Sequence, residues 1–156
     1  MDGQLDQYDR KMIEVLGTRG RLPVTDLAKI VGLSKTPCQV RLKRLQRDGF
    51  ISHFKAVLNP GKLGLEHVAF VEVKLTDTTE KALGAFNESV QQVREIEQCH
   101  MIAGAFDYLL KVRTRDMKSY RRVLGEIISS LPFVGSTSTH VSMQSIKDDG
   151  LDGTEK

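Results

Sequence analysis

The segment from Ser34 to Gly49 constrains this chain more than any other stretch. Cys38, Leu42 and Leu45 fall at i, i+4 and i+7, a narrow apolar stripe of helical period. The remaining surface carries Lys35, Arg41, Lys43, Arg44 and Arg47 against one acid, Asp48. Ser34 stands where an N-cap belongs and Gly49 where a left-handed C-cap belongs, so a helix is expected from about Ser34 to Asp48. A helix with so few apolar positions is not stable alone in water. Other elements must cover its stripe while its basic face stays solvated.

Two shorter helices upstream are suited to that task. Asp6 and Asp9 form a variant capping box, and Tyr8, Met12, Ile13, Val15 and Leu16 follow at the spacing of one buried face, bracketed at the end by Gly17 and Gly20. Pro23 opens a second helix with Leu27, Ala28, Ile30 and Val31 inward, ending at Gly32. Helix, glycine-centred turn and basic helix is the arrangement of a helix-turn-helix, whose second helix enters the major groove of DNA. A basic face that is merely solvated is the bland alternative. Three helices of this length in this order outweigh it.

On this reading Ser34, Thr36, Gln39 and Val40 meet base edges, while Lys35, Lys43, Arg44 and Arg47 approach phosphates. Arg41 divides between phosphate and a local salt bridge, and His53 and Lys55 lean toward phosphate. Phe50–Leu58 reads as a strand or short wing, and Asn59-Pro60-Gly61 then breaks the pattern. The expected domains are therefore 1–60, with a linker strand at 50–60, then 61–147, and a flexible tail at 148–156. Charge follows the same division. Residues 1–60 hold 11 Lys/Arg against 6 Asp/Glu, and residues 61–156 hold 12 against 14. Only the first part is expected to meet a polyanion.

Met1–Arg10 lacks the basic-then-apolar pattern of a signal peptide, and no apolar run approaches the roughly 18 residues needed to cross a membrane. Cys38 and Cys99 are far apart and have no partner at metal-ligand spacing. A cytoplasmic protein with reduced thiols is expected. Cys99-His100 invites a metal or nucleophile reading, but a strand would place the two on opposite faces. No nucleophile–base pair, carboxylate pair or glycine-rich phosphate loop is evident, so neither catalysis, cofactor nor metal is expected.

The second half alternates between periods. His67–Leu75 reads as a strand, Glu80–Gln92 as a helix, Val93–Ile102 as a strand, and Ala103-Gly104-Ala105 as a turn. Phe106–Arg113 reads as a strand, Met117–Leu131 as a helix stopped by Pro132, and Val134 to about Ser145 as a last strand. The order β-α-β-β-α-β defines a ferredoxin-like split βαβ unit, and the whole chain is α+β, a winged-helix-like domain followed by that unit. Such a sheet leaves one face uncovered. Thr137, Thr139, Val141, Met143 and the apolar Tyr108–Val112 are expected to line it and to require a second subunit. A two-fold dimer would also present two recognition helices to two half-sites.

Leu33-Ser34-Lys35-Thr36-Pro37-Cys38, with Arg41-Leu42-Lys43-Arg44-Leu45 and Asp48-Gly49-Phe50-Ile51, closely resembles the leucine-responsive regulatory protein (Lrp/AsnC) family. Glu97–Met101, Gly104–Leu110, Asp116-Met117, Tyr120 and Leu131-Pro132 are similar to its ligand-sensing domain. The resemblance implies a bacterial or archaeal transcription factor that dimerises through the β-α-β-β-α-β domain and stacks dimers into an octamer bending double-stranded DNA. It also implies an amino-acid effector between dimers, at Gly104, Ala105, Phe106 and Asp107, approached by Met117, Tyr120, Thr137 and His140. Related sequences often carry Asp where this chain has Ala105, and more apolar or aromatic residues in place of His140 and Ser142. The alternative to a ligand-responsive regulator is a nucleoid-organising protein that wraps DNA without an effector.

Overall fold

The protein is described here by a computed structural model covering residues 5–148. The tail expected beyond Asp148 lies outside the described residues. The chain divides into two compact units, Met1–Ala56 and Val57–Lys156, a few residues before the boundary expected at 60/61.

In the first unit, α1 spans Gln7–Thr18, α2 Val24–Val31 and α3 Lys35–Arg47. The capping box forms as expected. Asp6 accepts from the N–H groups of Tyr8 and Asp9, and the Asp9 side chain accepts from the Asp6 N–H at 3.2 Å. Ser34 occupies the N-cap of α3 in extended geometry but makes no side-chain cap bond. Gly32 (φ 81°) and Gly49 (φ 80°) end α2 and α3 in the left-handed conformation that a side chain penalises. The core gathers Met12 and Leu16 from α1, Leu27, Ala28 and Val31 from α2, and Cys38 and Leu45 from α3. Each helix alone is too short to be stable, so this shared core holds the three together.

Residues 50–60, expected as a linker strand or wing, form no strand. A strand is defined by ladder bonds to a neighbouring strand, and among the described residues this segment makes only local turn bonds, such as Ile51 N–H to the Leu45 carbonyl. Its apolar Phe54, Val57 and Leu58 stay exposed.

The second unit is β1 (His67–Leu75), α4 (Glu80–Val90), β2 (Ile96–Met101), β3 (Tyr108–Thr114), α5 (Met117–Arg122) and β4 (Val134–Val141). The expected order holds, and all pairings in the sheet β2-β3-β1-β4 are antiparallel. The boundaries shift for local reasons. Val93–Glu95 are taken into turns, so β2 begins at Ile96. The helix expected over 117–131 relaxes after Arg122 into a π turn, Val123–Ile127, that contains Gly125, and then a 3-10 turn, Ile128–Ser130. β4 stops at Val141, after which the Ser142 N–H makes one last bond to β1, at the Val68 carbonyl.

The core lies between the sheet and the helices. Ala69, Val71, Val73 and Leu75 of β1 and Tyr108, Leu110 and Val112 of β3 pack against Phe86, Val90, Tyr120, Val123 and Ile128. Register then corrects the expectation for the uncovered face. Thr137, Thr139 and Val141 pair with Val73, Val71 and Ala69, so they share the helix side, together with Tyr108–Val112's inward residues. The open face instead carries Phe70, Glu72 and Lys74, Leu109, Lys111 and Arg113, and Ser136, Ser138 and His140. It is polar rather than apolar. The segment after β4 crosses it, and Asp148 bonds Lys111 (2.5 Å) and Arg113 (3.0 Å), which Glu97 also meets at 3.4 and 2.5 Å.

Candidate nucleic-acid interface and effector region

At 3.6 residues per turn, Thr36, Val40, Lys43 and Arg47 fall on one stripe of α3, diametrically opposite the buried Cys38 and Leu45. Lys35 and Gln39 lie to one side of it, Ser34 stands at the N-cap one turn before Cys38, and all seven residues are exposed. Val40, at 62% exposed, is an unusually open aliphatic group amid cations. Arg47 donates to its neighbour Asp48 at 2.8 Å yet remains largely in solvent. Apolar contact, amide and hydroxyl donors and cationic tips thus share one outward surface, the mixture that reads base edges and phosphates together.

Arg44 is placed differently. It lies on the flank of α3 beside α1 and bonds the Asp9 carboxylate at 2.5 Å, while Arg41 bonds Asp9 at 2.9 Å and Asp6 at 2.6 Å. Arg41 also lies over the Tyr8 ring, 5.4 Å from its centroid. The hydrogen bond of Arg41 and those from the Asp9 and Tyr8 amides hold the Asp6 carboxyl below the usual carboxylate range, the Asp9 amide contributing most. Asp9 is fully buried. Sequence reading took it as a cap and missed its second task of aligning the basic helix. The available signal was its position, one carboxylate on the apolar Asp9-Met12-Leu16 stripe. His53 and Lys55 are exposed in the segment that follows.

The eight residues of the expected effector site do not converge within one chain. Gly104, Ala105, Phe106 and Asp107 form the turn before β3, beside the end of β1, and Thr137 is paired there with Val73. Asp107 ties the turn to β1. Its carboxylate accepts from the Leu75 N–H at 2.7 Å, its own N–H donates to the Val73 carbonyl, and its carbonyl accepts from Ile102. Met117 and Tyr120 follow the far end of β3, about 20 Å of strand away. Tyr120 is buried, its hydroxyl 2.5 Å from that of Thr139 and its ring 5.4 Å from the His67 ring. His140 points to the open face, 3.1 Å from Glu72, opposite Thr137 and Tyr120.

Cys99 pairs with Leu110 on the core side and His100 with Leu109 on the open side, as alternation requires. Burial raises the thiol pKa of both Cys38 and Cys99. No group of three His, Cys, Asp or Glu able to hold a metal occurs among the described residues.

Comparison with known proteins matches residues 5–52 to a winged helix-turn-helix DNA-binding model and residues 68–152 to the Lrp/AsnC ligand-binding domain. The protein is a DNA-binding transcriptional regulator with an appended ligand-binding domain, not an enzyme. The chain is 63% identical over 147 residues to a proline dehydrogenase transcriptional activator of Rhizobium radiobacter, covering 94% of each. It is 44% identical over 143 residues to the leucine-responsive regulatory protein of Escherichia coli K12, covering 92% of this chain and 87% of that one. A Neisseria meningitidis transcriptional regulator solved in complex with L-methionine superposes with a TM-score of 0.86 at 30% identity, covering 93% of this chain and 94% of that one. This chain belongs to the Lrp/AsnC family.

Proposed function

We propose that α3 lies in the major groove of operator DNA, with Ser34, Thr36, Gln39 and Val40 on base edges and Lys35, Lys43 and Arg47 on phosphates. Arg44 joins them through the side of its guanidinium that Asp9 leaves exposed. The observation that carries this reading is the outward stripe Thr36-Val40-Lys43-Arg47, where a large aliphatic group stands open among cations. The chain works in the cytoplasm as a homodimer formed through the second unit and assembling to an octamer. Two observations support assembly: Met143 and Ile146, at 101% and 82% exposed, are apolar groups that a lone chain leaves in water, and the expected effector residues sit at two ends of one sheet. An effector touching both the Gly104–Asp107 turn and Met117 draws residues from two copies.

The effector is an amino acid, and it acts by its unequal affinity for alternative assemblies. The similarity to a proline dehydrogenase activator makes the promoter of a proline-degrading enzyme the first target and proline the first ligand to test. In gel shifts, Lys43→Ala should weaken binding to every duplex and lower the salt slope by about one, whereas Gln39→Ala should alter preference among operator variants. The reverse pattern would place a different face of α3 in the groove. Titration of the protein–operator complex with the twenty amino acids should find one or a few that shift affinity. Indifference to all of them, with random DNA competing as well as the promoter, would favour the wrapping protein without an effector.

A further inference from the structure

In the second unit, a cavity of about 480 Å³ opens where Arg94, Arg113, Arg115 and Arg122 come together from three chain segments. None of its lining residues belongs to the effector set discussed above. Arg94 precedes β2, Arg113 and Arg115 flank the end of β3, and Arg122 closes α5. Their roles differ. Arg113 is 8% exposed and committed to the fold, bonded to Glu97 at 2.5 Å, to Asp148 at 3.0 Å and to the Leu65 carbonyl at 3.2 Å. Arg94, Arg115 and Arg122 are exposed and, among the described residues, form no ion pair. With Glu97 occupied by Arg113 and Lys111, the one lining carboxylate left to face them is Glu95.

Three guanidiniums around one hollow with a single facing acid repel one another, and an anion between them relieves that repulsion. Guanidinium forks match the paired oxygens of phosphate and carboxylate. The volume is that of a metabolite site, and Leu63, Leu65 and Val123 line part of the wall, as in sites that take a small molecule. A concave hollow of this size suits a compact solute better than the convex backbone of duplex DNA.

We propose that this cavity is a second ligand site, for a small polyanion bearing adjacent phosphate or carboxylate groups. It binds independently of the amino-acid effector and of operator DNA, so its failure leaves the reading of α3 untouched.

Calorimetric titration of the full chain with pyrophosphate and with citrate, each against sodium chloride of matched ionic strength, tests it. One saturable site per chain is expected for at least one probe, and the tighter probe identifies phosphate or carboxylate as the natural chemistry. Arg115→Gln and Arg122→Gln should each weaken that binding about tenfold or more, with far-UV circular dichroism unchanged. Arg94→Gln repeats the test on a separate segment, and Lys29→Gln, an equal loss of charge in the first unit, should leave the affinity unaltered. Absence of saturable heat with both probes overturns the proposal, and so does an equal loss in Lys29→Gln, which would mark diffuse attraction to a basic protein.

Discussion

Replacing Asp9 with Asn probes how the basic helix is held. The Asp9 carboxylate is fully buried and accepts three bonds: from Arg44 at 2.5 Å, from Arg41 at 2.9 Å and from the Asp6 N–H at 3.2 Å. Asn keeps the shape but presents an NH2 group toward two guanidiniums and removes the charge. Hydrogen bonds to charged partners contribute roughly 1.5–3 kcal/mol each, and breaking a buried pair costs about 3–5 kcal/mol. Here the side chains of Arg41 and Arg44 are 26% and 41% exposed, so both can turn to water once released. Discounted for that escape, Asp9→Asn should cost about 2–4 kcal/mol, or about 10–20 °C in the melting of so small a unit. Urea unfolding followed by circular dichroism, run as a cycle with Arg44→Ala, should give a coupling of about 1–2 kcal/mol. A cost below about 0.5 kcal/mol, or additive single substitutions, would show that α1 and α3 are held by their apolar core alone and that the ion pairs follow from it.

Other consequences are equally direct. Asp107→Ala strips the shielded Leu75 N–H of its acceptor and should destabilise the second unit by about 1–3 kcal/mol in thermal melts; a neutral result would show the turn to be held by its backbone bonds alone. Phe133 is a non-glycine residue at φ 62°, and its side chain is 39% exposed. Relief of the left-handed strain, about 1–2 kcal/mol, is smaller than the burial and chain entropy lost with a ring that is mostly covered, so Phe133→Gly should cost about 1–2 kcal/mol, and a gain would mean that the strain outweighs the packing. The Asp116 carboxyl is held below the usual carboxylate range, chiefly by the Ser119 N–H it accepts at α5. Its contribution is therefore full above about pH 4 and is lost as pH falls through the lowered value, a loss that Asp116→Asn should abolish from the acid limb of a stability–pH profile.

Local signals carried the helices and the strand order. Asp6 with Asp9, Gly32 and Gly49 mark helix ends through interactions within a few residues, and the shift from period 3.6 to period 2 separates helices from strands. The outward stripe of α3 was legible for the same reason, since the spacing of Cys38, Leu42 and Leu45 leaves one face for solvent. What was misread depended on distant partners. Residues 50–60 have strand composition, yet a strand exists only where another chain segment accepts its bonds. Thr137 and Thr139 were placed on the open face because alternation gives two faces without naming either, and pairing with Val73 and Val71 turned them toward the helices.

The amino-acid sequence by itself determined that this protein has a basic helix on two supporting helices, followed by a β-α-β-β-α-β unit, because capping, turn chemistry and hydrophobic period act over a few residues. Tertiary structure alone decided that Asp9 would grip Arg41 and Arg44, that Asp107 would tie its turn to β1, and that arginines from three segments would ring one hollow. Each of these joins residues separated by tens of positions or drawn from different elements. Their encounter depends on register and packing direction, quantities that local pattern does not encode.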